Sequence, residues 1–227
     1  MPNFSLLILS AGFGRRMLDL TTNTPKPLLK FRNKTLLGNT INFFRDIGCT
    51  EIYINTHYLH EMIETYVNNN FTNRYVKLIH EPIILGTGGG VKNVFNFTKI
   101  NNLCVVNSDI FWQIDNKSDI INFLENINEV THCKILLSKK NHFSGLTSTE
   151  GDFIIKNNIV SKWSKGNEII FYSGFQIVSK NVFKNLKKKI FSMNEIWNKL
   201  IIDKKLQGQL ASSDILHIGD KNAFTEV

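Results

Sequence analysis

The sequence predicts an α/β protein with one domain, a doubly wound and mostly parallel mixed sheet of the Rossmann-like kind, flanked by helices. Up to about residue 140, apolar runs of strand length alternate with helix-period segments, which is the pattern of repeated βαβ units. The chain has 227 residues, enough for one hydrophobic core and few for two. Because no linker, repeat or low-complexity segment divides it, we expect residues 1–227 to form one domain.

The elements follow from the apolar pattern taken in order. Buried strands are predicted at 6–10, 52–55, 76–79, 103–106 and 135–137, and helices around 37–44, 62–66, 91–95 and 120–127. Strands at 152–155 and 159–163 flank Asn157 and Asn158, a pair that tolerates positive φ and suits a hairpin. A long strand is predicted at 169–178, and Ser192 with Glu195 has the spacing of a capping box that begins a helix. The second half therefore reads as an antiparallel addition to the same sheet.

Composition narrows the possible partners without choosing one. The net charge of +8 suits nucleic acid, an anionic membrane surface or a phosphorylated small molecule. The sequence lacks interleaved aromatic and basic residues, so nucleic acid is not expected. It has neither a run of about 18 apolar residues nor a basic segment ahead of its first apolar stretch, which predicts a cytoplasmic protein without a membrane partner. The three cysteines have no paired spacing and are expected to be free structural thiols.

A phosphate-binding loop is the strongest local signal. The first buried strand runs into a small-residue turn that holds Gly12, Gly14 and two arginines. Glycines let backbone N–H groups approach phosphate oxygens, and arginine offers a planar fork of donors. In Pro25-Lys26-Pro27 two prolines stiffen the chain around one lysine. The segment therefore predicts a phosphate cradle with a fixed neutralising charge.

Other glycine motifs fit this loop less well. A dinucleotide-binding fingerprint needs a third glycine where Met17 stands. A P-loop needs glycine, lysine and serine or threonine in succession, and the loop has none of that pattern. A plain glycine turn would leave the arginines and Lys26 unexplained.

Two further features point to ligands. Asp109 ends an apolar strand, at the carboxyl edge where open α/β sheets bind ligands, and its carboxylate could hold Mg²⁺ or merely cap the next turn. The run from Gly86 to Gly90 would be costly in a helix or strand. It therefore marks backbone that passes close to a ligand, or a flexible turn.

These motifs together resemble a known family. Ser10-Ala11-Gly12-x-Gly14-x-Arg16-Met17, followed by Pro25-Lys26-Pro27, resembles the signature of sugar-phosphate nucleotidyltransferases. The resemblance continues along the chain and is greatest to N-acetylmuramate 1-phosphate uridylyltransferases. Gly86-Thr87-Gly88-Gly89 also resembles heptose and mannose 1-phosphate guanylyltransferases, so the base stays open. The segments that continue it are Asn55-x-His57-x-Leu59, Thr87-Gly88-Gly89-Gly90-Val91-Lys92, Val106-Asn107-Ser108-Asp109, Gly151-Asp152-Phe153 and Ser173-Gly174.

The resemblance implies a nucleotide-diphospho-sugar transferase fold, a nucleoside triphosphate and a sugar 1-phosphate as partners, and Mg²⁺ as cofactor. The implied reaction moves a nucleoside monophosphate from UTP to N-acetylmuramate 1-phosphate during peptidoglycan recycling, in a monomer or weak homo-oligomer. Catalytic roles fall on Arg16, Lys26 and Asp109, with Asp109 as the metal ligand. Nucleotide contacts fall on Ala11, Gly12, Gly14, Gly86, Thr87 and Gly88, and sugar contacts on Asn107, Gly151, Asp152, Ser173 and Gly174.

One position departs from the family. His217 stands where many relatives carry an aspartate that is the second magnesium ligand, and imidazole is a poor ligand for Mg²⁺. Three explanations are open. One protein carboxylate with phosphates and water is enough to hold Mg²⁺, or Asp214 or Asp220 replaces the missing ligand. In the third, catalysis is weakened and the chain is a nucleotide-binding module. We favour the first, because Mg²⁺ usually keeps several waters. His57 matches a family histidine and is expected to be a core or supporting residue at least as readily as a ligand contact.

Overall fold

The computed structural model describes residues 3–72 and 74–226. In this part of the chain the strands are β1 (Phe4–Leu9), β2 (Lys30–Phe31), β3 (Lys34–Thr35), β4 (Cys49–Thr56), β5 (Val76–His80), β6 (Asn102–Asn107), β7 (Ile110–Phe111), β8 (Cys133–Lys139), β9 (Phe143–Ser144), β10 (Phe153–Lys156), β11 (Ile159–Lys162), β12 (Ile170–Ser179), β13 (Leu206–Leu210) and β14 (Ile215–His217). The helices are α1 (Leu36–Asp46), α2 (His60–Asn70), α3 (Gly86–Val94), α4 (Asn116–Leu124), α5 (Met193–Ile202) and α6 (Lys221–Glu226). Short 3₁₀ helices cover Arg15–Thr21, Lys26–Leu28, Ile127–Glu129, Lys140–His142 and Lys180–Phe183.

A nine-stranded sheet organises the molecule, in the order β10-β11-β13-β8-β12-β6-β1-β4-β5. The block β6-β1-β4-β5 is parallel, as predicted for the βαβ units. β12 runs antiparallel to both of its neighbours, β6 and β8. Small sheets join β7 and β9 to β14, and β2 to β3. The predicted doubly wound, mixed α/β sheet is confirmed.

Helices cover both faces of the sheet because β1 alternates its side chains between two cores. Leu6 and Ile8 belong to one core, which includes the apolar faces of α1, α2 and α4. Leu7 belongs to the other, with residues of α3 and α5. Successive strand residues point to opposite faces, so a strand buried on both sides reads as one continuous apolar run.

The second half follows the prediction in part. β10 and β11 form the expected hairpin, with Asn157 at φ 50° and Asn158 at φ 61°. Ser192 caps α5 by accepting a hydrogen bond from the Asn194 backbone N–H at 3.2 Å, whereas Glu195 binds Lys188 instead of closing the box. β13, which lies parallel to β8, and β14 have no counterpart among the predicted elements.

The prediction that the glycine run avoids helix is wrong, because residues 86 to 90 form the start of α3. The glycines are needed for packing against another part of the same chain. A Cβ at Gly89 would lie 2.2 Å from the Lys189 carbonyl oxygen, and one at Gly88 would lie 2.4 Å from the Phe191 ring. Gly86 adopts φ +72°, which disfavours other residues. Close approach of the 189–191 segment thus outweighs the helix cost of glycine.

The cysteines are free thiols, as the sequence predicts. Cys49, Cys104 and Cys133 are buried and free. Burial raises the pKa of Cys49 and of Cys133 to about 12, so these thiols stay protonated. No helix in residues 3–72 or 74–226 combines the length and apolar character needed to cross a membrane.

Replacing Gly89 with alanine should lower the free energy of unfolding by about 1–3 kcal/mol, because the added methyl overpacks a site bounded by backbone. Gly12→Ala is the matched control, since a Cβ there meets nothing within 4 Å. Urea denaturation of both variants measures the difference. Equal stability of the two variants would contradict the packing role of Gly89.

Candidate functional site

A cavity of about 410 Å³ lies at the carboxyl ends of β6, β1, β4 and β5. It contains the residues predicted for the phosphates and the metal. The predicted residues that line it are Ala11, Gly12, Gly14, Arg16, Lys26, Gly86, Thr87, Asn107 and Asp109. Further lining residues are Leu9, Ser10, Arg15, Pro27, Asn55, Glu81, Ile84, Ser108 and Gly219.

The loop after β1 is held in place by its neighbours. The Ser10 backbone N–H donates to Asn55 Oδ1 at 2.9 Å. The Tyr58 hydroxyl bridges the carbonyl oxygens of Thr21 and Thr22, each at 3.0 Å. Gly14 adopts φ +67°, so the chain turns sharply into the 3₁₀ helix that follows. The loop is therefore preorganised toward the cavity.

Arginines and an aromatic side chain flank the loop. Arg15 and Arg16 are exposed, and neither forms an ion pair with the acidic groups of the described residues. The Arg15 guanidinium lies 5.0 Å from the centre of the Phe13 ring. That ring packs edge-on against His57. Arg16 thus keeps its donors available for an anion in the cavity.

The centre of the site is an ion pair between Lys26 and Asp109. Lys26 Nζ lies 2.8 Å from Asp109 Oδ2 and donates a second hydrogen bond to the Gly219 carbonyl oxygen at 3.0 Å. The two side chains are only 10% and 14% exposed. Lys26 starts a 3₁₀ helix directly after Pro25, so the two prolines fix the backbone that carries it.

Asp109 is held in its charged form. Burial acts to raise the pKa of this carboxyl, but the Lys26 ammonium and the hydrogen bond and charge of His217 outweigh burial. The pKa of Asp109 is therefore well below its ordinary value. The site keeps a buried carboxylate across the physiological pH range.

One oxygen of Asp109 stays open to a further partner. Its Oδ1 is buried and has no hydrogen-bond partner in the described structure. Mg²⁺ takes oxygen ligands and is often held by one or two carboxylates, with water and phosphates completing its shell. This donor therefore fits a hard divalent ion. No group of three or more His, Cys, Asp or Glu side chains that could hold a metal ion occurs in the part of the chain described.

His217 lies beside this carboxylate. Its Nε2 is 3.4 Å from Asp109 Oδ2. β14 pairs with β7 so that His217 lies opposite Ile110, and the Ile218 backbone N–H donates to the Asp109 carbonyl at 2.7 Å. The imidazole edge rests on Gly219, where a Cβ would come within 2.1 Å of its Cε1. The C-terminal segment is thereby locked against the strand that carries Asp109.

The two aspartates considered as substitutes have other partners. Asp214 Oδ1 lies 2.7 Å from His142 Nδ1, and its side chain is 71% exposed. Asp220 Oδ1 accepts the Ala223 backbone N–H at 2.9 Å at the start of α6. Neither lines the cavity. The structure thus provides no support for either as the missing ligand.

The opposite end of the cavity holds a pair that the sequence analysis did not single out. Glu81 and Asn55 are buried, and Asn55 Nδ2 donates to Glu81 Oε1 at 2.9 Å. Glu81 Oε2 accepts the Leu85 backbone N–H at 3.1 Å. His57 Nδ1 lies 2.6 Å from the Glu81 carbonyl oxygen, in the supporting position expected for it. Glu81 directly follows β5, and Asp109 lies two residues after β6, so the position of an acidic residue at the end of a strand could have identified Glu81.

The remaining predicted residues do not line the cavity. Gly88 donates its backbone N–H to the Phe191 carbonyl at 3.0 Å. Gly174 adopts φ +86° where the register of β12 shifts, and a Cβ there would lie 2.6 Å from Ile110. Ser173 is fully buried. A Cβ at Gly151 would meet Trp163, so packing alone explains that glycine.

Asp152, also predicted for the sugar, is anchored to β12. Its Oδ2 accepts the Tyr172 backbone N–H at 2.9 Å. Burial raises the pKa of its carboxyl, while that hydrogen bond and the nearby His217 act in the opposite direction. His217 therefore lies within electrostatic reach of both Asp109 and Asp152.

Known proteins are similar to this chain over most of its length. The family model described as nucleotidyl transferase matches residues 5–161. D-glycero-alpha-D-manno-heptose 1-phosphate guanylyltransferase of Aneurinibacillus thermoaerophilus is 26% identical over 94% of this chain and 92% of its own. N-acetylmuramate alpha-1-phosphate uridylyltransferase of Caulobacter vibrioides is 23% identical over 96% of this chain and 92% of its own. The crystal structure of HddC from Yersinia pseudotuberculosis complexed with GMP-PN has a TM-score of 0.74 at 23% identity, covering 97% of this chain and 96% of that one.

Removing the Lys26 charge should destabilise the fold in a pH-dependent way. Lys26→Met leaves a buried carboxylate unpaired, which should cost about 3 kcal/mol at pH 7. The pair depresses the pKa of Asp109, so its stabilisation is present above the ordinary carboxyl pKa of about 3.9 and is lost as the pH falls toward the folded-state value. In the variant, burial raises the pKa of the unpaired Asp109 carboxyl, so protonation removes the unpaired charge as the pH falls. The difference between variant and wild type should therefore shrink near pH 4, before the wild-type pair itself is lost, as denaturant titrations at both pH values would measure.

The double variant Lys26→Met with Asp109→Asn is the control for this measurement. It removes the unpaired charge together with its partner, so it should be more stable than the single variant at pH 7. The ion-pair assignment would be contradicted if Lys26→Met lost as much stability at pH 4 as at pH 7 and the double variant recovered none of it.

Proposed function

The chain belongs to the nucleotidyl transferase family and is a sugar 1-phosphate nucleotidyltransferase, and we propose that it uses GTP, with Arg16, Lys26 and Asp109 at the reaction centre. The resemblance predicted from its motifs is confirmed. Enzymes of this class bind a nucleoside triphosphate and a sugar phosphate and serve nucleotide-sugar biosynthesis.

The observation that carries the mechanism is the Lys26–Asp109 pair beside the phosphate loop. An oxygen of the sugar 1-phosphate attacks the α-phosphorus in line, forming one P–O bond while the bond to pyrophosphate breaks. Such transfers need positioning and charge stabilisation rather than a covalent residue, a template extended here from γ- to α-phosphorus. Arg16 and Lys26 donate to the triphosphate, and the backbone of Ala11 and Gly12 holds the nucleotide.

A divalent metal ion is the expected cofactor of this family, and we assign Mg²⁺. Its chemistry when bound is to neutralise phosphate charge. Asp109 would hold it through Oδ1, the oxygen that lacks a partner. In the protein without ligands, Lys26 keeps the other oxygen engaged.

The base is assigned from the length of the cavity and the chemistry of its far end. Neighbouring strands lie about 4.8 Å apart, so β5 is about 14 Å from β6, which suits a nucleotide with its α-phosphate at Asp109 and its base at Glu81. A carboxylate binds adjacent N–H donors well. Guanine offers two such donors, at N1 and N2, whereas uracil flanks its one N–H with carbonyl oxygens. Glu81 therefore favours GTP over UTP.

The second candidate is UTP with N-acetylmuramate 1-phosphate in peptidoglycan recycling. The motifs of the chain and the Caulobacter vibrioides relative favour it. The Aneurinibacillus thermoaerophilus relative favours a heptose 1-phosphate with guanine. In both cases Asn107, Gly151, Asp152, Ser173 and Gly174 are the proposed sugar residues, of which Asn107 lines the cavity.

Pyrophosphate release from four nucleoside triphosphates, each with several sugar 1-phosphates, tests the proposal. GTP should support release with one sugar class, and Lys26→Ala should lower turnover about 100-fold to 1,000-fold, since one fixed charge at the transition state contributes about 3–4 kcal/mol. Exposed Lys30→Ala is the matched control and should retain turnover. Nucleotide binding without release for any pair would instead identify a catalytically weakened module.

Glu81→Gln tests the base assignment. Wild-type protein should prefer GTP to inosine triphosphate, which lacks the 2-amino group, by about 10-fold to 100-fold in kcat/KM, because a bidentate pair discriminates by about 1–3 kcal/mol. The variant should lose most of that ratio. The ratio of the kcat/KM values for the two nucleotides is measured because partial unfolding lowers both values alike. Exposed Glu64→Gln is the control, and an unchanged ratio in Glu81→Gln would remove Glu81 from base selection.

A further inference from the structure

The carboxylate of Asp109 is already occupied on one side. Lys26 Nζ at 2.8 Å and His217 Nε2 at 3.4 Å both face Oδ2. A cation at this carboxylate therefore meets a resident ammonium. The Gly219 carbonyl oxygen fixes that ammonium from a second direction, at 3.0 Å.

The negative charge of Asp109 is compensated before any ligand arrives. Lys26 supplies a positive charge beside it, and the imidazole of His217 supplies no negative charge. Asp214 and Asp220 are engaged elsewhere. A divalent ion gains little by leaving water for a neutral pair that offers it one free oxygen.

A nucleoside triphosphate changes this balance. Its phosphates bring several negative charges and oxygen ligands, and they attract the Lys26 ammonium away from Asp109. The negative charge of Asp109 then becomes available to the ion. Ion and nucleotide should thus stabilise one another in the cavity, which is a coupling between two ligands.

We propose that Lys26 is the resident counter-ion of Asp109 and that His217 keeps the site free of divalent metal until a nucleotide binds. The inference rests on the proposed function. His217 is the decisive residue because β14 pairing and the hydrogen bond from the Ile218 N–H to the Asp109 carbonyl hold it against Asp109. A carboxylate at position 217 would supply the negative charge that the site lacks.

The test follows free Mn²⁺ by electron paramagnetic resonance at one fixed pH, without sugar phosphate, so that no turnover is needed. Wild-type protein should bind no Mn²⁺ alone and one equivalent in the presence of GTP or UTP. His217→Asp should bind Mn²⁺ without nucleotide, at least 10-fold more tightly than wild type. Lys26→Met should also gain this affinity, because it leaves the negative charge of Asp109 without its counter-ion.

His132→Asp is the matched control. His132 precedes β8 and so lies at the amino ends of the strands, whereas the cavity lies at their carboxyl ends. This variant should leave metal binding unchanged. Circular dichroism establishes that each variant is folded. The proposal would be overturned if wild-type protein without nucleotide bound Mn²⁺ as tightly as His217→Asp does. It would also be overturned if neither folded variant gained affinity for Mn²⁺. Pyrophosphate release by the same wild-type preparation reports on the proposed function separately.

Discussion

The Lys26–Asp109 ion pair joins parts of the chain that are far apart in sequence. It spans 83 residues, and the second hydrogen bond of Lys26 reaches Gly219 over 193 residues. The phosphate loop, the end of β6 and the C-terminal segment are therefore positioned by one ammonium group. Isolated, each charge would be costly to bury, so the pair holds together only when all three segments are in place. The site thus depends on the whole fold, although its residues come from short loops.

Packing at the other end of the cavity follows a different principle. α3 approaches the 189–191 segment so closely that glycine is needed at its first turns. This approach fixes where Gly86 and Thr87 enter the cavity, and Thr87 Oγ1 also accepts the Met193 backbone N–H at 2.9 Å at the start of α5. Backbone contact thus sets the width of the cavity beside Gly86 and Thr87, while charge fixes the end that holds Lys26 and Asp109.

Much of the fold was predictable because it is encoded locally. β1 runs straight into the loop, and the period of the apolar residues separates strands from helices. Asp109 could be found for the same reason, since it lies just beyond the end of a buried strand. The partner of Lys26, the contact of Gly89 with Lys189 and the position of His217 beside Asp109 could not be found. They join distant segments, and no local pattern states which segments meet. β13 and β14 were missed because they are short and carry polar residues.

The hydrogen bond between Lys26 and the Gly219 carbonyl has a consequence for how the protein is made. During synthesis the N-terminal strands and helices emerge first and can begin to pack while the ribosome is still translating. The nascent chain nevertheless lacks the second hydrogen bond of Lys26 until residue 219 has left the exit tunnel. Until then Lys26 and Asp109 have only each other, so this ion pair is completed only after the segment around residue 219 has been made.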